Sequence, residues 1–259
     1  MSVTPSEQRT PADYPGCPVT VLAARAEGID LRSPRWGLWD VVWSLIAAVV
    51  IGLVAASLLL VINAPMGVQI LVGVTSPWIA LAGWPLLVTA RRGNGPRIDL
   101  GLSLTWSDTG WGVVAGAAGL MLAGIAAVIT QLFVPDLSST AADVAGQLED
   151  SSGRLSLTIF AAIIMVGAPL VEELFFRGLF FSALRKRGVS ALLTIVITAV
   201  VFAGFHFEPV RFFVLLPTGL LLGWVRWKTG STGSAMVAHG VVNAPGAILL
   251  LVGMPEMTP

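Results

Sequence analysis

Six side chains able to take part in acid–base or metal chemistry lie within the last hundred residues, each inside an apolar stretch. Glu172, Glu173 and Arg177 share the run Ala168-Pro-Leu-Val-Glu-Glu-Leu-Phe-Phe-Arg177. His206 closes Phe202-Ala-Gly-Phe-His206, and His239 opens His239-Gly-Val-Val-Asn243. These two are the chain's full complement of histidines. An ionisable group near a bilayer centre costs about 2.5–3.5 kcal/mol on insertion scales, so such a grouping calls for a chemical explanation. Glu173 and Arg177 are four residues apart, one turn along one helix face, and are expected to form an ion pair that lowers the cost of both. His239 and Asn243 have the same spacing and share a face. Glu172 is rotated by about 100° from Glu173 on a 3.6-residue helix and has no partner on its own helix. It needs a wet cavity, a partner from another helix, or a proton. Carboxylate and imidazole together can activate a water, ligate a zinc ion or relay protons.

The elements that must position these groups are membrane helices. Of 259 residues, 55% are hydrophobic and 12% charged, about half the charged share of a soluble domain, so lipid must solvate most of the surface. Seven stretches approach the roughly 20 apolar residues of a spanning helix. They are Leu38–Ile62, Val68–Ala90, Gly110–Val134, Leu157–Leu184, Val189–His206, Val210–Trp227 and Thr232–Val252. The fifth and sixth are short; Glu208 and Pro209 favour a tight turn between them over one long bent segment. The expected fold is therefore all-α, a polytopic bundle of about seven spans. Its divisions are a disordered cytoplasmic tail (1–37), three N-terminal helices (38–134), a non-cytoplasmic loop (135–156), a four-helix catalytic core (157–252) and a short C-terminal tail (253–259).

Charge placement orients this bundle. Fifteen Lys+Arg balance fifteen Asp+Glu, so no basic surface for nucleic acid is implied and none is expected as a partner. Twelve of the fifteen basic residues fall in the first tail and on alternate loops: Arg9 to Arg35, Arg91 to Arg97, Arg185 to Arg187, and Arg226 with Lys228. By the positive-inside rule, the amino terminus is cytoplasmic and the carboxyl terminus lies outside, in what is expected to be a prokaryotic plasma membrane. Trp36, Trp39, Trp43, Trp106, Trp111, Trp224 and Trp227 flank the same boundaries and are expected to be interfacial anchors. Gly112, Gly116 and Gly119 let a neighbouring helix approach closely, within the chain or between protomers. The first 35 residues carry five prolines, lack the apolar core of a signal peptide and read as disordered. A lone Cys17, with no apolar run before it, excludes an intramolecular disulfide, a Cys-based zinc site and a lipoprotein signal.

Taken together, Glu172-Glu173-xxx-Arg177, Phe202-xxx-His206 and His239-xxx-Asn243 resemble the signature of the CAAX-protease and bacteriocin-processing (Abi) family, which includes the type II CAAX prenyl proteases. The resemblance covers about residues 157–245. It implies an intramembrane endopeptidase acting on a peptide or protein substrate in or near the membrane. It further implies that Glu172 and His206 activate the water and that His239 and Asn243 stabilise the oxyanion, with Glu173 and Arg177 in support. Zinc held by Glu172, His206 and His239 is the competing chemistry; the metal-free glutamate mechanism is favoured, since the zincin pattern H-E-x-x-H is absent. A catalytically silent scaffold of the same fold is the alternative function. A proton-coupled transporter is a third, disfavoured because no symmetric half or matching pair of broken helices is found. One conflict stands: His206 ends its helix near the outer side, while Glu172 and His239 lie near mid-helix. The three converge only if the fifth helix is tilted, displaced or longer than drawn.

Overall fold

The computed structural model describes residues 16–135 and 139–252, and every regular element within them is helical. The first fifteen residues, Asp136 to Ser138 and the expected C-terminal tail lie outside that range. The elements are α1 (Pro18–Ala26), α2 (Leu38–Val61), α3 (Met66–Thr75), α4 (Trp78–Arg92) and α5 (Trp106–Gln131), followed by α6 (Thr140–Lys186), α7 (Ala191–Phe205), α8 (Phe212–Thr229) and α9 (Thr232–Val252). Five segments are long and apolar enough to cross a membrane: α2, α3 with α4, α5, α6 and α9. The shorter helices α7 and α8 bring the count to seven, as expected. The protein is a polytopic all-α bundle.

Local chemistry sets the helix ends. The Asp40 carboxylate accepts the Gly37 N–H at 2.9 Å and starts α2. At α5 the Thr105 hydroxyl accepts from Asp108 N at 3.1 Å while Asp108 accepts from Thr105 N at 2.8 Å, a reciprocal cap. Pro77 divides the second span into α3 and α4. Gly230 (φ 70°) terminates α8 in the left-handed region, which glycine adopts without a Cβ penalty. The span Thr232–Val252 has the bounds expected from sequence.

Three expectations need correction. Residues 16–37 are not a featureless tail: α1 packs Val21 and Ala24 against Ile98. Trp36 is not an anchor; it is 1% exposed and donates its indole N–H to Asp99 at 2.8 Å. The segment expected as a loop before Leu157 is helical from Thr140, with Gly153 (φ 72°) as its one non-helical residue. Its apolar face, Ala145 and Leu148, packs with Leu157 and Phe160 against Ile70, Leu71 and Val74 of α3. Asp143, Glu149 and Asp150 interrupt the hydropathy without interrupting that face.

The glycines of α5 work within the chain. A Cβ on Gly112 would lie 2.7 Å from Val237, and one on Gly116 2.6 Å from Val241, both residues of α9. These two glycines therefore let α5 lie against the helix carrying His239 and Asn243. Near the α7–α8 junction, Thr140 N–H donates to Glu208 at 3.2 Å and Arg211 donates to it at 2.9 Å. Burial alone pushes the Glu208 carboxyl up, but the Thr140 amide and the Arg211 guanidinium outweigh it and hold it below its ordinary range.

Candidate active site

The site is built on irregularities in α6. Two stretches, Ile163–Gly167 and Leu174–Phe180, are wound as π-helix, a distortion common at functional sites. In the first, Ala168 N–H reaches back five residues to Ile163 O and Pro169, next in the chain, has no N–H to offer. The Ile164 carbonyl thus loses its helical donor, and Asn243 Nδ2 of α9 donates to it at 3.0 Å. In the second, Phe181 N–H goes to Phe176 O rather than Arg177 O. Here Arg226 Nε of α8 donates to Arg177 O at 3.0 Å. Each widened turn frees a carbonyl, and a side chain from another helix takes it up. Buried backbone acceptors need such partners, so the distortion and the tertiary contact support each other.

Glu172 and Glu173 lie between the two widened turns, and Arg177 lies within the second. Glu173 and Arg177 are fully buried, and Arg177 Nη1 donates to Glu173 Oε1 at 3.0 Å, the pair expected from their spacing. His239 Nδ1 lies 2.9 Å from the same oxygen. An ionised carboxylate can only accept, so His239 carries its proton on Nδ1, leaving Nε2 for other partners. Arg177 Nη2 donates to Gly219 O at 2.9 Å, and its guanidinium lies 4.7 Å from the Phe202 ring centroid. Charged groups this deep need a countercharge, which Glu173 and Arg177 supply to each other, while Glu173 Oε2 and Arg177 Nε stay enclosed without a hydrogen bond from any described residue.

Phe202 joins the two imidazoles. Its ring centroid is 4.9 Å from that of His206 and 5.6 Å from that of His239, both edge-to-face. His206 Nδ1 lies 2.8 Å from the Phe202 carbonyl. A carbonyl accepts, so this nitrogen too bears a proton and Nε2 is left for other partners. The expected separation of the two histidines is bridged by Phe202. Whatever the depth of the helix end, the contacts of one Phe202 ring with both imidazoles bring His206 and His239 together.

Glu172 stands differently. It is part-buried, and its Oε2 is enclosed without a hydrogen bond from any described residue. No hydrogen bond joins it to either imidazole; its neighbour Glu173 holds His239 instead. Among the described residues no three His, Cys, Asp or Glu side chains are grouped as metal ligands. A zinc site needs its ligands within about 2.0–2.2 Å of one point, and Glu172, His206 and His239 do not fit that demand.

Arg226 and Gly219 were not singled out by their types or spacing. Arg226, counted above as a loop charge, is 3% exposed and sits 5.4 Å from the Phe181 ring centroid. Its burial within the last turn of an apolar helix was the available signal. Gly219 matters through its carbonyl and through contact with Ala199, 3.1 Å from where its Cβ would be.

Residues 154–245 match the family model described as type II CAAX prenyl endopeptidase, Rce1-like. All seven residues of the three motifs fall inside that stretch, so the resemblance read from them holds. The UPF0177 protein YxdF of Lactococcus lactis subsp. lactis (strain IL1403) is 29% identical over 117 residues. That alignment covers 44% of this chain and spans 63% of the relative's length. No solved structure matches.

Proposed function

We propose, from the Rce1-like character of residues 154–245, that this chain is an intramembrane endopeptidase hydrolysing a peptide bond of a membrane-associated substrate. The observation that carries the residue assignment is that Glu172 has an enclosed Oε2 and no hydrogen bond from any described residue, whereas Glu173, whose Oε2 is also enclosed without a partner, has its Oε1 committed to Arg177 and His239. A buried acceptor left without a donor costs free energy unless function retains it.

In this reading Glu172 is the general base. It takes a proton from a water whose other hydrogen is accepted by Nε2 of His206, and the water oxygen attacks the scissile carbonyl. The resulting oxyanion is stabilised by His239 Nε2–H, in its doubly protonated form, and by the second amide proton of Asn243. Glu173 offsets the imidazolium charge through Nδ1, much as a buried carboxylate supports histidine in hydrolytic triads, and Arg177 holds Glu173. Protonated Glu172 then gives its proton to the leaving amine as the C–N bond breaks. Phe202 fixes the separation of the two rings.

The test uses purified full-length protein in proteoliposomes with a library of lipid-anchored peptides, released fragments being read by mass spectrometry. Glu172→Gln is expected to lower cleavage by about 10²–10⁴-fold, the usual worth of a positioned base, with thermal unfolding unchanged. Cleavage at the wild-type rate by a folded Glu172→Gln protein would overturn the assignment.

A further inference from the structure

At the opposite end of α6 from its N-terminal kink, a cavity of about 350 Å³ opens beside the N-terminal segment. Its walls come from three separate parts of the chain: Arg35 with the first turns of α2, Arg92 at the end of α4, and Lys186 with Arg187 at the end of α6. Four cations therefore face one cavity, and Asp40 is the one carboxylate among the lining residues. That carboxylate is already occupied by Arg92, by the Trp84 indole and by Gly37 N–H. Lys186 donates to the carbonyls of Pro34 and Trp36 and lies 5.3 Å from the Trp36 ring centroid. Arg35 and Arg187 are exposed, and neither forms an ion pair among the described residues. Asp40 and Asp99 answer Arg92 and Lys186, so the surplus positive charge at the cavity is that of Arg35 and Arg187.

The rim of the cavity continues into an apolar track. Trp39 and Trp43 line the cavity and are 72% and 53% exposed. From them the exposed side chains Ile46, Val50 and Leu53 continue down α2 at helical spacing, one above the other. Fourteen residues from Trp39 to Leu53 extend about 21 Å, a large part of one leaflet's depth. Indoles at an interface, cations at the headgroup level and an aliphatic stripe beneath are complementary to one amphiphile in that order.

We propose that this cavity is a binding site for an anionic phospholipid: the phosphodiester pairs with Arg35, Arg187 and the remaining N–H of Lys186, and an acyl chain lies along the α2 stripe. Bound there, the lipid ties the segment preceding α2 to the end of the helix that carries Glu172 and Glu173. A free phosphate shares the headgroup chemistry but gains nothing from Trp39, Trp43 or the stripe.

Full-length protein in detergent is titrated with dioleoylphosphatidylglycerol and, separately, with dioleoylphosphatidylcholine, and bound lipid is counted by native mass spectrometry. Glycerol 3-phosphate is added as a soluble competitor. The expected result is retention of phosphatidylglycerol over phosphatidylcholine by the wild type, unaffected by millimolar glycerol 3-phosphate. The double variant Arg35→Gln/Arg187→Gln is expected to lose about 30-fold in phosphatidylglycerol affinity, on the scale of two juxtamembrane cations. Lys228→Gln, outside the cavity, is expected to leave affinity unchanged. Both altered arginines are exposed, so the double variant should fold, and its thermal unfolding in lipid-free detergent checks this. Equal retention of the two lipids, full retention by the double variant, or displacement by glycerol 3-phosphate would each overturn the proposal. The readout is lipid mass, independent of peptide cleavage, so its failure is distinguishable from failure of the protease assignment.

Discussion

Helices α2 and α6 are both apolar enough to cross a membrane, yet they are built in opposite ways. In α2 the one charged group lies in the first turn, where Asp40 caps the helix, and Ser44 in the second donates to Ala80 O at 3.0 Å. Beyond them its exposed face is aliphatic apart from Ser57, with Val50, Leu53, Val54 and Leu58 turned outward. In α6 a kink at Gly153, two π-wound stretches and three ionisable residues interrupt the same kind of run. The first helix satisfies its backbone by itself, as a lipid-exposed helix must. The second leaves backbone acceptors that only other helices can satisfy, so its charges and its distortions exist only inside the bundle. The candidate site is here a matter of where a helix stops being self-sufficient.

That contrast can be broken by substitution. Arg177→Met leaves Glu173 buried with a single imidazole partner and is expected to destabilise the fold by about 3–5 kcal/mol, read by thermal or chemical unfolding in detergent. Val50→Leu on the exposed face of α2 should stay within about 0.5 kcal/mol of wild type in the same assay. Within α5, Gly112→Val or Gly116→Val drives a side chain into α9 and should cost about 1–3 kcal/mol. Gly124, with open space where a Cβ would be, accepts Ala without loss, and its helix should gain about 0.5–1 kcal/mol. Equal effects at Gly112 and Gly124 would show that α5 does not pack on α9 through its glycines.

Asn243→Leu strips the Ile164 carbonyl of its donor and should cost about 1 kcal/mol or more; hydrogen exchange at residues 163–168 would rise with it if the widened turn depends on that bond. The smallest effect is expected at Glu208. Its carboxyl is held below the ordinary range, so the stability it contributes is present above the unfolded value of about 4.3 and lost as pH falls through the folded value. The melting difference between wild type and Glu208→Gln should therefore be seen at pH 7 and vanish near pH 3. A difference independent of pH would remove the Thr140–Glu208–Arg211 cluster as its source.

How much of this was legible beforehand depended on the range of the interaction. The Glu173–Arg177 pair follows from i,i+4 spacing, and the close approach at Gly112 and Gly116 follows from small residues on one face. Phe202 and His206 were readable as one turn of one helix. By contrast, the partner of His239 is Glu173, 66 residues away, and spacing within α9 contains no information about it. Helix Thr140–Ala162 escaped a search for continuous apolar runs because only one of its faces is buried in its first turns. Trp36 was read as an anchor on composition, whereas its indole reaches Asp99 across 63 residues of chain.

By itself, the sequence determined a lipid-solvated helical bundle, the helix faces and the side chains able to do chemistry, because hydropathy and the 3.6-residue repeat act between near neighbours. Tertiary structure alone decided which carboxylate holds an imidazole and which is left uncommitted. Those choices depend on carbonyls released where α6 widens, and the donors that stabilise the widened turns, Asn243 and Arg226, come from helices that meet α6 only when the bundle closes.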